Sequence, residues 1–486
     1  MTERAPVSIS SVRHVHLIAI CGVAMAALAG MLKQRGHRVS GSDENVYPPM
    51  STLLERGGIP IQTGFRAENL SDRPDVVVVG NKVSRDNTEV QALLASDIPY
   101  LSLPQALHDF FLAGKRSVVI AGTHGKTTST AMLAWVLEQA GRDPSMMVGG
   151  DANNFGGNFK LGDGEHFVIE GDEYDTAFFD KGPKFLHYAP SALILTAVEF
   201  DHADIYRDLD HVKSAFRRLV AILPAGAPLA VAADFPHAVE VARRDGLSPE
   251  SFGLSDTADW RIANVRAANG ESSFEITHHG AIECTASLRV PGAINARNAL
   301  GVYVLARRLG LHRDEILPGL RTFTGVARRQ ELVGEFGGIA LIDDFAHHPT
   351  AVAGSIAAIR QHYPGRRLWA VFEPRSNTSR RKVFQHEYVE AFAAADRVII
   401  GGVFHKQTDA VSADELFSPE QLASDLTARG VKARAYPEID TIVVALTRNA
   451  KPGDVILLMS NGSFGGLRDK LAVALGRASA PDRASG

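Results

Sequence analysis

At 486 residues the chain is too long for one hydrophobic core, and about 150 residues per domain implies three domains. Apolar residues make up 45% and charged residues 22%, the balance of a globular protein with a sizeable core, which excludes extended disorder. A net charge of −4 without a dense Lys/Arg tract excludes a nucleic-acid footprint, and two isolated cysteines, Cys21 and Cys284, exclude a disulfide framework or zinc cluster and fit a reducing cytoplasm.

Met1 to Ser10 is polar, and no run of about 18 apolar residues occurs, so neither export nor a membrane span is expected. His14 to Ile20 reads as a short buried strand that passes through Cys21-Gly22 into a helix, Ala24 to Arg35, closed by Gly36. Val39 to Asp43 is a second strand. Asp75 to Asn81, centred on four valines, is apolar on both faces, as in a parallel sheet covered by helices. This is the rhythm of a βαβ nucleotide-binding unit.

A second unit opens near residue 113, with a strand at Ser117 to Ala121, a turn at Gly122 to Lys126 and a helix from Thr127 to Gln139. Phe167 to Ile169 and Ala192 to Leu195 are further buried strands, each ending in acidic residues or a histidine. Ligand sites of open α/β sheets gather at such strand ends. A third unit starts near residue 326, with strands at Ile339 to Ile342, Leu368 to Phe372, Arg397 to Ile400 and Val455 to Met459 and a helix from Pro349. The last ten residues, Arg477 to Gly486, are small and polar and are expected to fray.

Gly122-Thr123-His124-Gly125-Lys126-Thr127-Thr128 joins strand to helix, so backbone N–H groups and a helix N-terminus converge on an anion. Lys126 supplies charge to the β- and γ-phosphates, and the Thr127 hydroxyl suits Mg²⁺. The longer generic phosphate-loop pattern fails, because Ile120 stands where its first glycine belongs; the shorter G-T-x-G-K-T form remains. Glu170, Asp172, Glu173 and Asp175 crowd the end of the next strand. Such a loop is often simply solvated, but beside a phosphate loop a carboxylate can complete a metal's octahedron, and Glu170 is nearest the strand. Glu199-Phe200-Asp201-His202 offers a carboxylate and an imidazole together, suited to a second Mg²⁺ or a proton relay.

Together these stretches resemble the Mur ligase family, whose members join amino acids or peptides to UDP-N-acetylmuramic acid. The resemblance covers nearly the whole chain and rests on six ordered motifs: Gly122 to Thr128, Glu170 to Asp175, Glu199 to His202, Asn295-Ala296-Arg297-Asn298, Arg328-Arg329, and Asp343 to Pro349. It implies an α/β fold of three domains: a Rossmann-like UDP-sugar-binding domain at 1–112, a central P-loop ATPase-type domain at 113–325 and a Rossmann-like peptide-binding domain at 326–486. Within the family, Gly41 to Thr52, Asp172 to Lys181 and Glu373 to Thr378 are similar to the members that attach the tripeptide L-alanyl-γ-D-glutamyl-meso-diaminopimelate in murein recycling. The L-alanine-adding relatives usually carry serine where Tyr174 stands and lack the Phe178-Phe179-Asp180-Lys181 continuation.

The resemblance also implies roles for matching positions. ATP would be held by Gly122 to Thr128, with Asn298 at the adenine, Arg329 at the γ-phosphate, and Asp344 with His347 on the ribose side. Thr127, Glu170 and His202 would serve the metal, with His202 alternatively acting on the amine. Lys126, His202 and Arg329 would be catalytic. Gly22, Ser42, Asp43 and His124 would contact the UDP-sugar, and Arg375, Ser376 and Asn377 the peptide. The expected ligands are ATP, Mg²⁺, UDP-N-acetylmuramic acid and the murein tripeptide, acting on a monomer or homodimer without membrane or nucleic acid.

Two departures from the family pattern stand out. The first loop is poor in glycine, with Ala19, Cys21, Ala24 and Ala27 around the single Gly22, and Phe216-Arg217 occupies the register where several relatives hold a carbamylated lysine. No modified lysine is expected, and Lys213 is only a weak substitute. A dehydrogenase would use His16 to Ala29 with Asp43 but lacks the glycines. It also gives the Lys126 loop nothing to do. A non-catalytic ATP-binding regulator leaves the acidic segment and His202 unexplained.

Overall fold

The computed structural model describes residues 9–47, 50–268, 271–404, 412 and 415–478. Pro48 and Pro49 of the Gly41 to Thr52 stretch, and residues 479–486 of the tail expected to fray, lie outside them. The chain divides into two compact units, the first comprising Met1–Glu199, Leu209–Arg261 and Leu300–Leu320, the second Phe200–Asp208, Ile262–Ala299 and Arg321–Gly486.

The first unit begins with β1 (His14–Ile18), α1 (Val23–Gln34), β2 (Arg38–Asp43), α2 (Met50–Arg56), β3 (Ile61–Thr63), β4 (Val76–Val79), α3 (Thr88–Ala95), β5 (Tyr100–Ser102) and α4 (Leu103–Leu107). The strands form an all-parallel sheet in the order β3-β2-β1-β4-β5. All four valines of β4 are fully buried, which is why the strand reads as an unbroken apolar run. Local signals set the helix starts: the Asn87 side chain accepts the Glu89 and Val90 N–H groups, and Ser102 with Gln105 closes a capping box on α4. Strand order reverses between β1 and β4, so the crevice beyond their carboxyl ends, at Ala19 to Gly22, is the position where such sheets bind ligands. β1 ends two residues short of the expected strand because Ala19 turns to φ +66°.

Next come β6 (Arg116–Ala121), α5 (Lys126–Gln139), β7 (Ser145–Ala152), β8 (Gly157–Lys160), β9 (His166–Gly171), β10 (Asp175–Ala177), β11 (Asp180–Pro183), β12 (Ala192–Leu195), α6 (Leu209–Ala221), β13 (Leu229–Ala232), α7 (Pro236–Ala242), β14 (Glu250–Gly253) and β15 (Trp260–Ala268). Within this unit the sheet runs β14-β13-β12-β6-β9-β7-β8, parallel except for β8, and β6 is flanked by β9 and β12. The three central strands therefore deliver the Gly122 to Thr128 loop, the acidic segment and Thr196 to Glu199 to one edge. Phe178 and Phe179, between β10 and β11, pack on the core of the first sheet, where Phe179 meets Tyr100 edge-on at 5.0 Å. They are interior packing, the more frequent fate of an aromatic pair after a strand.

The second unit contains the hairpin β16 (Glu271–His278) and β17 (Ala281–Leu288), followed along the chain by α8 (Ala293–Arg308) and α9 (Arg313–Thr322). Its main sheet is built from β18 (Glu331–Phe336), β19 (Ile339–Asp344), α10 (Pro349–His362), β20 (Leu368–Phe372), α11 (Glu387–Ala391), β21 (Arg397–Gly401), α12 (Pro419–Ala428), β22 (Lys432–Tyr436), α13 (Ile439–Asn449), β23 (Val455–Met459) and α14 (Leu467–Ala478). The order is β18-β19-β23-β20-β21-β22, with only β18 antiparallel. One face packs against Ile356, Tyr388 and Phe392, the other against Ile442, Leu446 and Leu471. β12, β20 and β23 have the bounds read from the sequence.

Candidate functional site

β6 is buried from Ser117 to Ala121 and runs straight into the loop Gly122 to Gly125, after which α5 starts at Lys126. Gly125, the N-cap at φ +81°, has no side chain to cap the first helical turn, which leaves those N–H groups suited to an anion. Gly122 is held at φ +135°, and a methyl group there would lie 2.3 Å from Thr196 Oγ1 and 2.7 Å from the Ala197 nitrogen. Only glycine fits that contact. The loop is tied to the end of β12 throughout: the Thr123 N–H donates to the Ala197 carbonyl, the Glu199 N–H donates to Thr123 Oγ1, and His124 Nε2 lies 2.7 Å from Glu199 Oε2. Thr123 and His124 thus hold the loop's shape with their side chains. Thr128, the third residue of α5, is buried.

The acidic segment follows β9, beside this loop. Glu170 Oε1 accepts the Thr127 hydroxyl at 2.9 Å, and its other oxygen accepts the Gly149 N–H at 2.8 Å. Two hard oxygen donors side by side fit a small divalent cation such as Mg²⁺. Glu173 meets Lys126 at 2.9 Å, Asp172 meets Lys184 at 3.5 Å and Asp175 meets Lys181 at 3.2 Å. The Lys184 ammonium also stands 4.1 Å above the Tyr174 ring, and the Tyr174 phenol bonds Asp172. Burial works against the Lys126 ammonium, but the charges of Glu173, Asp172 and Glu170 outweigh it and hold its pKa above the ordinary lysine value. For Lys184 burial wins, and its pKa falls.

In the first loop of this unit, Asp43 Oδ2 accepts the Cys21 N–H and Oδ1 the Asn45 N–H, both at 2.9 Å. The Ala19 and Ile20 N–H groups donate to the Ser42 carbonyl. Asp43 and Ser42 therefore shape the Gly-poor loop from below. Gly22 N-caps α1 without a side-chain bond, at φ −66° and ψ 141°. Burial, then the Asp43 charge, pushes the Cys21 thiol up to about 11.

The remaining expected residues lie in the second unit. His202 adopts φ +53°, and its N–H donates to Asp201 Oδ1. Burial opposes the Asp201 charge, yet a bond with His347 and the nearby His202, His347 and His348 hold its carboxyl well below the usual range; the Thr378 hydroxyl donates to it at 2.7 Å. Arg329 stacks on Phe345 at 4.4 Å, while Arg328 donates to the Ser460 and Gly462 carbonyls. Asp344 is buried and accepts the Ser355 hydroxyl and the Ala346 N–H, so it organises the loop that carries His347. Burial raises its pKa. Asn298 is buried on α8.

Arg375 stacks 3.9 Å from the Phe404 ring and borders a cavity of about 400 Å³ shared with Glu373, Pro437, Ile439 and Phe464. Ser376 and Asn377 do not border it: Ser376 bonds Ser379, and Asn377 donates to Asp204. Glu173, Thr196 and Lys184 hold the Gly122 to Thr128 loop and its acidic neighbour but were given no role of their own, and Glu199, expected beside a second metal or in a proton relay, bonds His124 of that loop. Thr196 and Glu199 had a signal in the sequence, as the first polar groups after a buried strand. Lys184 had none.

Three family descriptions match the chain in order: "Mur ligase family, catalytic domain" at 14–115, "Mur ligase middle domain" at 120–306, and "Mur ligase, glutamate ligase domain" at 328–462. The UDP-N-acetylmuramate–L-alanyl-gamma-D-glutamyl-meso-2,6-diaminoheptandioate ligases of Escherichia coli and Haemophilus influenzae are 39% and 38% identical to it, each over 464 residues and 98% of the relative's length. These alignments take in 95% and 94% of this chain. Among solved structures, a murein peptide ligase from Psychrobacter arcticus superposes with a TM-score of 0.71 at 33% identity, covering 96% of this chain and 99% of that one.

Proposed function

The chain belongs to the Mur ligase family and is an ATP-dependent ligase that forms amide bonds; from that premise we propose that it joins L-alanyl-γ-D-glutamyl-meso-diaminopimelate to UDP-N-acetylmuramic acid in peptidoglycan recycling. The observation that carries the acceptor is near-full-length identity to ligases named for that tripeptide. What supports the chemistry is a glycine-shaped anion cradle with Lys126 at its base and the Thr127–Glu170 oxygen pair beside it.

We assign UDP-sugar binding to 1–112, ATP binding to 113–325 and peptide binding to 326–486; the matched family segments change over near the same points. The lactyl carboxylate of UDP-N-acetylmuramic acid takes the γ-phosphoryl group of ATP, giving an acyl phosphate and ADP. The peptide amine then attacks the acyl carbon, and phosphate leaves. Lys126 and Arg329 stabilise the charge that develops during transfer. Gly122 to Thr128 orient the triphosphate, with Asn298 at the adenine and Asp344 with His347 shaping the ribose side. Thr127, Glu170 and His202 are assigned to Mg²⁺, which when bound would supply positive charge to the transferring group; action of His202 on the amine is the alternative role. Gly22 with the loop shaped by Ser42 and Asp43 holds the UDP phosphates, and Arg375 takes an acidic group of the peptide. The cytoplasm, which supplies ATP and keeps thiols such as Cys21 reduced, is the assigned compartment.

Phosphate release from ATP with Mg²⁺ and UDP-N-acetylmuramic acid tests this, with the tripeptide or L-alanine as acceptor. Turnover with the tripeptide alone is expected. Turnover with L-alanine alone would transfer the chain to the alanine-adding branch, and silence with both would sink the substrate assignment.

A further inference from the structure

Three of the four carboxylates between Glu170 and Asp175 face lysines, and the pair at Lys126 differs from the others in what its cation is for. A phosphate-loop lysine serves by aiming its ammonium at bound phosphates. Here that ammonium is folded back on its own loop. It donates to the Gly122 carbonyl at 2.6 Å and to the two Glu173 oxygens at 2.9 and 3.3 Å. Both side chains are sheltered, with 11% of Lys126 and 3% of Glu173 exposed.

Glu173 is held at this post by its neighbours. The Phe185 N–H donates to the Asp172 carbonyl and the Lys184 N–H to the Tyr174 carbonyl, each at 3.3 Å, so the backbone is pinned on both sides. The Asp172 side chain is fixed by Lys184 and Tyr174. Release of Lys126 therefore takes rotation of the Glu173 side chain and no movement of the strand end.

On the premise that Gly122 to Thr128 holds ATP, we propose that Glu173 is a positioning residue that latches Lys126 in the nucleotide-free enzyme and yields it to the incoming phosphates. The exchange replaces one anion by another, so the sheltered ammonium is paired before and after. Before any exchange, the Glu173 carboxylate already lies close enough to Lys184 to feel its charge. A latch lowers apparent affinity by the fraction of molecules in which it is open, whichever phosphate ligand is offered.

Titration of ATP into the full-length protein, without Mg²⁺, tests the latch against Glu173→Gln and Glu173→Ala. Both variants should bind ATP about 10-fold more tightly than the parent, and inorganic phosphate should gain by a similar factor. In a Lys126→Met background the same Glu173 changes should bring a clearly different gain, because the coupling runs through that ammonium. Relief of repulsion alone predicts the same gain in both backgrounds, so the coupling between the two positions, rather than the gain itself, identifies the latch. Unchanged or weaker binding in both variants overturns the proposal, and weakening that appears only with Mg²⁺ would overturn it by making Glu173 a metal ligand. A parent protein that binds no ATP would sink the site assignment and the latch together, whereas normal parent binding with unresponsive variants sinks the latch alone.

Discussion

Replacing Gly22 by alanine separates ligand contact from folding at the first loop. Gly22 lies at φ −66° and ψ 141°, values open to any residue. A methyl group there would meet nothing nearer than the Ala19 carbonyl oxygen at 3.6 Å, an ordinary contact. The unfolded chain loses freedom on gaining a Cβ, which favours folding by about 0.4–1 kcal/mol. Alanine is a poorer N-cap than glycine by a comparable amount, about 0.5–1 kcal/mol. The two effects nearly cancel, so Tm should move by no more than about 2–4 °C. The bound state is different, because a phosphate packed on the α1 N-terminus needs close backbone approach, which the methyl group denies. KM for UDP-N-acetylmuramic acid should therefore rise about 10-fold or more, roughly 1.4 kcal/mol of lost binding, while KM for ATP stays put. Steady-state phosphate release with each substrate varied in turn, beside a thermal melt, reads both. An unchanged KM for the UDP-sugar would remove the first loop from the binding site, and a large drop in Tm would refute the backbone reasoning.

Lys126→Ala should cut the rate on the order of 10²-fold or more and, by stranding buried Glu173, destabilise the fold by about 3–5 kcal/mol. Adding Glu173→Ala should restore stability in urea without restoring the rate; recovery of both would deny Lys126 a part in catalysis. Glu170→Gln should raise the Mg²⁺ concentration for half-maximal rate on the order of 10-fold or more, measured by metal titration of phosphate release, and an unchanged requirement would place the metal elsewhere. Burial opposes the Asp454 charge, but Arg367, the Lys451 N–H and Trp369 Nε1 hold its pKa below the ordinary value. A depressed folded-state pKa adds stability above the unfolded value and loses it as pH falls through the folded one. Asp454→Asn should accordingly cost about 1.5–3 kcal/mol in urea unfolding at pH 7, with the gap to the parent narrowing only in strong acid. A thiol pushed up to about 11 should make Cys21 react with iodoacetamide at pH 8 on the order of 10²-fold more slowly than an ordinary cysteine, as followed by peptide mass spectrometry.

Short-range pattern made much of this molecule legible. Buried parallel strands are written as apolar runs, so β12, β20 and β23 could be bounded to the residue, and Gly-Lys-Thr after such a run marked the turn from β6 into α5. Pairing across long separations was not legible. Nothing in the order of residues 170 to 184 says that Glu173 turns to Lys126 while Asp172 turns to Lys184, because both choices have the same composition and differ only in how the segment leaves β9. Backbone strain was equally hidden: Ala19 and His202 take positive φ without glycine, held by the Ser42 carbonyl in one case and the Asp201 carboxylate in the other. At Asp344 and Asn377 the sequence showed polar groups in the right register, and the structure shows them bonded to their own scaffold.

The lysines in and beside the acidic segment explain how four carboxylates can stand next to the proposed triphosphate site. Unneutralised, Glu170, Asp172, Glu173 and Asp175 would repel a ligand of the same sign across a few ångströms, where one pair of unit charges is worth about 4 kcal/mol at an effective dielectric of 20. Lys184, Lys126 and Lys181 each take one of the last three. Glu170 instead receives neutral donors, the Thr127 hydroxyl and the Gly149 N–H. These bonds orient the carboxylate beside the Thr127 hydroxyl, where the proposed Mg²⁺ would meet it. The same division separates the consequences of mutation: neutralising Asp172 should disturb packing around Lys184, whereas neutralising Glu170 should act on the metal requirement and leave the fold in place.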